Sequence, residues 1–199
     1  MKDGFIRVAA ATPDIHVADP QYNSEQIIEL MEQGSTRGVK VMAFPELCLT
    51  AYTCSDLFLQ ESLLREAKKE LKRILQASKS KDMILFVGMP WMHKGKLYNV
   101  AAVLNRGRIL GIVPKKHLPN YSEFYELRHF NPGMEKVEMT DWEGIQVPMG
   151  MNLLFACRTM PELVLAAELC EDVWVPCPPS ISHALAGATV IANCSASDE

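Results

Sequence analysis

The sequence predicts a mixed α/β fold that forms one domain, and three observations support this. Short apolar runs alternate along the chain with segments that have helical spacing of apolar residues, which is typical of helices layered on a sheet. Hydrophobic residues make up 48% of the 199 residues and charged residues 22%, so the chain can build a core and is not mainly disordered. Internal repeats, linkers and low-complexity segments are absent from the sequence, so a single domain is expected.

The first 46 residues predict a strand, a helix and a second strand. Residues 5–12 are expected to form a buried strand that ends before Pro13. Asn23 or Ser24 is expected to cap a helix that closes at Gly38. Residues 39–44 form the next apolar run. A strand–helix–strand order of this kind predicts a parallel pair of strands.

The middle of the chain predicts a second helix, a strand and a hairpin. Residues 64–78 have helical spacing, residues 83–89 predict a strand, and residues 97–104 and 108–113 predict a hairpin closed by a turn that contains Gly107. The outer face of the helix is expected to be solvated and carries Lys68, Lys69, Glu70, Lys72 and Arg73.

The last third of the chain has a weak pattern until residues 152–157. Residues 163–170 and 189–194 predict strands, and residues 181–186 between them predict a short helix after a proline-dense loop. Because a buried strand lies almost at the end with no closing helix, we expect the domain to be truncated at its C-terminus.

Charge and composition exclude several classes of function. The chain has 20 basic and 24 acidic residues, a net charge of −4, and no long basic run, so nucleic acid is not an expected partner. No apolar stretch reaches the roughly 18 residues of a membrane span, and the first residues do not resemble a signal peptide. The six cysteines lack Cys-x-x-Cys and zinc-ligand spacing, so a reduced, cytoplasmic protein without a metal site is expected.

Three residues with side chains that could act in catalysis follow three predicted strands. Glu46, Lys115 and Cys170 each come at or just after the end of an apolar run. Functional groups gather at the carboxyl ends of strands in α/β sheets, and a thiol, a carboxylate and an ammonium together would suit a covalent hydrolase. Taken singly, a packed cysteine, a surface or capping glutamate and a solvated lysine are the commoner interpretations.

The motifs around these residues resemble those of the nitrilase (carbon–nitrogen hydrolase) superfamily. The matching segments are Phe44-Pro45-Glu46-Leu47, Pro114-Lys115-Lys116-His117-Leu118-Pro119 and Glu168-Leu169-Cys170-Glu171-Asp172. Segments 118–126, 170–176, 178–180, 186–188 and 193–197 are similar to the glutaminase domain of glutamine-dependent NAD⁺ synthetases. The resemblance implies a nitrilase-like αββα sandwich and identifies residues 1–199 as an incomplete glutamine amidohydrolase domain.

The resemblance also implies residue roles. Cys170 would be the nucleophile, Glu46 the general base and Lys115 the group that stabilises the oxyanion with the backbone N–H of Glu171. Glu126 would be the second glutamate of the superfamily, which orients the lysine and the substrate. The residues that would bind the glutamine α-amino and α-carboxylate groups are Tyr121, Phe124, Glu171 and Ser197. Two departures from the family pattern are Ala51, where glycine is frequent, and Cys194, where leucine is common.

The implied function is the release of ammonia from L-glutamine through a cysteine thioester, for amidation of nicotinate adenine dinucleotide. No cofactor is implied for the glutaminase step. ATP and Mg²⁺ belong to a synthetase domain, which is absent from this chain because no glycine-rich phosphate loop occurs. A homo-oligomer is expected, and activity of the chain alone stays open. The alternatives are a stand-alone nitrilase-type amidase (an ω-amidase or carbamoyl hydrolase) and a catalytically silent interaction module.

Overall fold

The computed structural model describes residues 4–197, in which ten strands and four α-helices form a layered α/β domain. The strands are β1 (Arg7–Ala10), β2 (Val39–Ala43), β3 (Ile84–His93), β4 (Lys96–Asn105), β5 (Arg108–Pro114), β6 (Glu138–Trp142), β7 (Ile145–Met149), β8 (Phe155–Ala156), β9 (Val164–Leu169) and β10 (Val190–Cys194). The α-helices are α1 (Pro20–Thr36), α2 (Glu61–Ser78), α3 (Glu126–His129) and α4 (Pro179–Leu185). None of these helices is long and apolar enough to cross a membrane.

The strands form two sheets. The larger has the order β1-β2-β3-β4-β5-β7-β6, with parallel pairs at β1–β2, β2–β3 and β5–β7 and antiparallel pairs elsewhere. The smaller has the order β10-β9-β8, in which β9 and β10 are parallel. The β1–α1–β2 unit is therefore parallel, as the sequence predicts.

The two sheets pack face to face between layers of helix. Apolar side chains of α1 and α2, such as Ile27 and Leu71, pack on one face of the larger sheet. Phe86 and Val103 on the opposite face contact the smaller sheet through Leu165. Helix α4 packs against β9 of the smaller sheet. This arrangement confirms the predicted α/β sandwich, and its core lies on both faces of the larger sheet.

The N-terminal elements differ from the prediction in two respects. The prediction that the first strand is buried is wrong, because β1 lies at the edge of the larger sheet and Val8 is 54% exposed. Helix α1 begins earlier than predicted, at Pro20, and its cap is Asp19, whose side chain accepts a hydrogen bond from the backbone N–H of Tyr22. Asn23 and Ser24 lie inside the helix and are buried.

The hairpin of β6 and β7 was not predicted from the sequence. In this hairpin the polar Thr140 is buried while the apolar Met139 and Ile145 are exposed, so the apolar residues do not mark the buried face. Strand β3 continues to His93, four residues beyond the predicted end. Within residues 152–157, where the apolar pattern resumes, the structure has only the two-residue strand β8, Phe155–Ala156.

Glu70 also departs from the prediction of a solvated helix face. Its side chain is only 3% exposed and accepts a hydrogen bond of 2.5 Å from the Ser24 hydroxyl of α1. Lys69 and Arg73 flank the carboxylate at 3.7 and 3.5 Å. Glu70 therefore joins the two helices that cover the larger sheet.

Candidate active site

Glu46 lies in a tight turn that follows β2. The turn crosses Gly88 of β3 so closely that a Cβ atom there would be 2.3 Å from the Pro45 carbonyl oxygen and 2.4 Å from the Leu47 nitrogen. The backbone N–H of Leu49 donates to the Gly88 carbonyl oxygen at 3.1 Å and holds the turn in place. Glu46 is consequently 1% exposed, although it follows a strand end directly.

Lys115 follows β5 and is fully buried between two carboxylates. Its Nζ atom lies 2.7 Å from Glu46 Oε1 and 2.6 Å from Glu126 Oε1. Glu126 is the first residue of α3 and is 4% exposed. Residues from three separate segments of the chain therefore form one buried ion cluster.

The cluster sets the protonation of its members. Burial alone would lower the pKa of Lys115, but the charges of Glu46 and Glu126 outweigh burial and raise it, so the ammonium form is favoured. Burial raises the pKa of Glu46 to about 7, opposed by Lys115 and reinforced by the Glu126 charge. A carboxyl group with a pKa near neutrality is suited to accept and return a proton at physiological pH.

Two further side chains complete this cluster, and neither was predicted from the sequence. Asn99 of β4 donates through Nδ2 to Glu46 Oε1 at 2.6 Å and to Glu126 Oε2 at 3.3 Å. Tyr52 donates through its hydroxyl to Glu126 Oε1 at 2.7 Å. An asparagine inside the apolar run 97–104 was an available signal for Asn99, whereas no local signal marks Tyr52.

Cys170 follows β9 and begins the short 3₁₀ helix Cys170–Val173. Its φ is +41°, a left-handed conformation that is uncommon for a residue other than glycine and occurs often at functional sites. The thiol is 6% exposed, and its sulfur lies 3.5 Å from the hydroxyl of Ser197. Burial and then the Glu46 charge raise the thiol pKa, while Lys115 acts in the opposite direction. The thiol form is therefore favoured, so nucleophilic attack requires a base.

Asp172 connects the cysteine turn to the lysine loop. Its buried carboxylate accepts backbone hydrogen bonds from Leu169 at 3.2 Å, from His117 at 2.8 Å and from Lys116 at 3.2 Å. Leu169 precedes the thiol, and Lys116 follows the buried ammonium in the chain. One carboxylate thus fixes the backbone on both sides of the site.

The residues predicted to bind substrate lie near Cys170 or near Glu126. The hydroxyl of Tyr121 donates to Glu171 Oε2 at 2.9 Å, and Glu171 follows Cys170 directly. The ring of Phe124 packs edge-on against Tyr121 and Tyr52, with centroid distances of 5.7 and 6.2 Å. Ser197 lies beside the sulfur of Cys170. The contacts of all four residues with substrate stay a prediction.

Two departures from the family pattern have clear positions. Ala51 has a φ of +71°, a conformation that glycine adopts most readily, which explains why glycine is frequent at this position of the family pattern. Cys194 is 1% exposed at the end of β10 and packs in the core between the sheets.

Among residues 4–197, no group of three His, Cys, Asp or Glu side chains could hold a metal ion.

Comparison with known proteins places nearly all of the chain in one family. The family model for carbon-nitrogen hydrolase matches residues 7–199. The glutamine-dependent NAD(+) synthetase of Mycobacterium tuberculosis is 42% identical over 194 residues, which is 98% of this chain and 29% of the relative. The chain therefore spans less than a third of the length of this curated relative.

Solved structures show the same fold. A crystal structure of a glutamine-dependent NAD(+) synthetase from Cytophaga hutchinsonii aligns with a TM-score of 0.85 and 26% identity, over 96% of this chain and 30% of that one. An amidase of the nitrilase superfamily from Nesterenkonia aligns with a TM-score of 0.72 and 21% identity, over 98% of this chain and 67% of that one. The family match, the shared fold and the buried cluster agree with the resemblance in the sequence motifs, and the chain belongs to the carbon–nitrogen hydrolase family.

Proposed function

We propose that this chain is the glutamine amidohydrolase portion of a glutamine-dependent NAD⁺ synthetase. In this proposal, residues 1–199 belong to a nitrilase-like domain that releases ammonia from L-glutamine. A separate ATP-dependent synthetase domain uses the ammonia to amidate nicotinate adenine dinucleotide. The observation that carries the proposal is the buried contact of Lys115 with Glu46, in a loop that Asp172 joins by hydrogen bonds to the turn of Cys170. The relative named above supports the choice of substrate.

The first half of the reaction forms a thioester. Cys170 Sγ attacks the side-chain amide carbon of glutamine while Glu46 takes the thiol proton. The negative charge that develops on the carbonyl oxygen is stabilised by the Lys115 ammonium and the backbone N–H of Glu171. Glu46 then returns the proton to the amide nitrogen, the carbon–nitrogen bond breaks, and ammonia leaves.

The second half hydrolyses the thioester. Glu46, now ionised again, takes a proton from a water molecule, whose oxygen attacks the thioester carbon. The carbon–sulfur bond breaks, the sulfur recovers its proton from Glu46, and glutamate leaves. Because each half uses the same base twice, the near-neutral pKa of Glu46 suits both directions of proton transfer.

Recognition of glutamine is assigned to the residues beside the thiol. The Glu171 carboxylate is proposed to pair with the substrate α-ammonium, and Tyr121, which hydrogen-bonds Glu171, to orient that carboxylate. Phe124 and Ser197 are proposed to complete the binding of the α-amino and α-carboxylate groups. The glutaminase step uses no cofactor in this proposal, and ATP and Mg²⁺ act only in the synthetase domain. A cytoplasmic homo-oligomer is proposed as its setting.

A stand-alone nitrilase-type amidase is the second candidate, because the Nesterenkonia amidase shares the fold over 67% of its own chain. Such an enzyme would prefer simple amides or carbamoyl compounds to glutamine. A panel of these substrates, with released ammonia as the readout, separates the two enzymes. Hydrolysis of glutamine at least as efficient as that of any other amide supports the proposal.

Covalent trapping tests the site directly. A glutamine-analogue diazoketone should label Cys170 in the wild-type chain, and mass spectrometry should locate the adduct. Cys170→Ala should lose the adduct and ammonia release, whereas Cys177→Ala, which removes an exposed thiol, should keep both. A folded wild-type chain that is not labelled would instead indicate the silent interaction module.

A further inference from the structure

Asn99 contacts all three charged members of the buried cluster. It lies in the middle of β4, opposite Pro90 of β3, and is 1% exposed. Its backbone carbonyl oxygen accepts a hydrogen bond of 2.9 Å from the backbone N–H of Lys115. Its side-chain Nδ2 donates to both Glu46 and Glu126. A residue with these contacts is placed to control how the carboxylates are oriented.

The orientation of the Asn99 amide follows from these contacts. If the amide were flipped, its Oδ1 atom would face two carboxylate oxygens, which is repulsive. In the observed orientation, Oδ1 is buried without a hydrogen-bond partner among the described residues. An unpaired buried acceptor destabilises a fold, so donation to the two carboxylates outweighs that loss.

The contacts also distinguish the two oxygens of Glu46. Lys115 and Asn99 both donate to Oε1, at 2.7 and 2.6 Å. Oε2 is buried and has no hydrogen-bond partner among residues 4–197. Asp172 accepts hydrogen bonds from the backbone of Leu169, which precedes Cys170, and of Lys116, which follows Lys115, so the thiol turn is joined to the lysine that contacts Glu46. The unoccupied oxygen is therefore the one available to receive a proton.

We propose that Asn99 is a positioning residue, which with Lys115 fixes Oε1 of Glu46 and so reserves Oε2 as the proton acceptor for Cys170. This inference rests on the proposed function, because it assumes that Glu46 is the general base. Asn99 also donates to Glu126 Oε2, the oxygen that Lys115 does not contact, and so fixes the rotation of the second carboxylate.

The protonation of Glu46 supplies a measurable consequence. The hydrogen bond from Asn99 lowers the pKa of Glu46 and so opposes the effect of burial. Without that donor, the Glu46 pKa should rise above its value of about 7. A base that ionises at higher pH shifts the acidic limb of the pH–rate profile upward, whereas a general loss of packing would lower the rate equally at each pH.

The test compares Asn99→Ala and Asn99→Ser with Asn105→Ala in the full-length protein that contains this chain. Asn105 is a matched control, since it lies on the same strand and donates to the Met83 carbonyl oxygen outside the site. Thermal unfolding identifies the folded variants, and kcat/KM for glutamine hydrolysis is measured from pH 5 to 9. We expect the acidic limb of the Asn99 variants to move up by about one pH unit, so that kcat/KM at pH values below the limb falls roughly tenfold. The pH profile of Asn105→Ala should not change. A limb at the wild-type position in either folded variant would overturn the proposal.

A second readout separates this inference from the proposed function. Alkylation of Cys170 by iodoacetamide also depends on ionised Glu46, but it does not require glutamine to be the substrate. If the wild type fails to hydrolyse glutamine, the substrate assignment is wrong, and the alkylation profile still tests Asn99. An upward shift of that profile in the Asn99 variants supports the positioning role, and an unshifted profile refutes it.

Discussion

Replacing Lys115 by methionine tests the charge balance of the buried cluster. The change removes an ammonium that lies 2.7 Å from Glu46 and 2.6 Å from Glu126 and keeps a side chain of similar length. Because the site is buried, water cannot take over the role of the ammonium. The variant therefore keeps two neighbouring carboxyl groups without their cation.

Two effects of known size follow from this geometry. Loss of one partner from a buried ion pair typically costs about 3–5 kcal/mol of unfolding free energy. Loss of an oxyanion-stabilising donor typically lowers kcat by about 10²–10³-fold. We expect Lys115→Met to show both losses. The loss of kcat should reach at least the upper end of the 10²–10³-fold range, because Glu46 also becomes harder to ionise.

The stability loss should depend on pH with a definite sign. Burial already raises the pKa of Glu46 above its ordinary value, and removing Lys115 raises it further. A carboxyl group whose pKa is higher in the folded state loses stability as pH rises from its unfolded pKa of about 4.5 to its folded pKa. The deficit of the variant should therefore stay nearly constant below about pH 7, where Glu46 is protonated in both folded proteins, and should grow between pH 7 and 8 by up to about 1.4 kcal/mol, the value of one pKa unit.

Urea denaturation at pH 5, 6, 7 and 8 measures this dependence, and ammonia release at each pH measures activity. Lys116→Met is the matched control, because that neighbouring lysine lies 3.3 Å from Glu135 at the surface and such pairs contribute little. A deficit that is equal at all four pH values would show that Lys115 does not balance the carboxylates. The same conclusion would follow if Lys116→Met lost as much stability and activity as Lys115→Met.

Three other predictions concern the supports of the site. Asp172→Ala should lower the unfolding free energy by about 2–5 kcal/mol and reduce activity, since it leaves three backbone N–H donors without their acceptor. Thermal unfolding and ammonia release measure the two effects. Asp141→Ala, at an exposed turn, is the control and should show neither loss. Gly88→Ala should displace the Glu46 turn and lower kcat by at least tenfold at a stability cost of about 1–3 kcal/mol. Gly34→Ala should stay active, because its new methyl group would clash only with the flexible end of Met42 and would be in ordinary contact with its other neighbours. The kcat/KM of the wild type should rise with pH through about 7 as Glu46 ionises; a rate independent of pH between 5 and 8 would refute its role as the base.

The parts of the fold that follow local patterns could be predicted from the sequence. The apolar spacing of α2 and the apolar runs of β2, β4, β5 and β9 identified those elements, because their apolar side chains are buried against the adjacent layer of helix or sheet. The position of Glu46 at a strand end also follows from local sequence. Its chemical role came only from the resemblance in the surrounding motifs.

Features that depend on distant contacts could not be predicted. Strand β1 is apolar in sequence, but its exposure follows from its place at the edge of the sheet, which no local pattern records. Tyr52 and Glu126 are 74 positions apart, and Asn99 reaches a carboxylate 53 positions away. Glu70 was assigned to the solvated face because the helical period cannot show that a second helix covers it.

The backbone conformation of Cys170 restricts which nucleophile this fold can accept. At a φ of +41°, a side chain branched at Cβ would clash with its own backbone, so threonine is excluded on steric grounds before its chemistry matters. Serine has the same branching as cysteine and fits the turn. Exchange of sulfur for oxygen is thus the one isosteric substitution that the turn permits, and evolution of this scaffold toward a hydroxyl nucleophile would have to begin with serine.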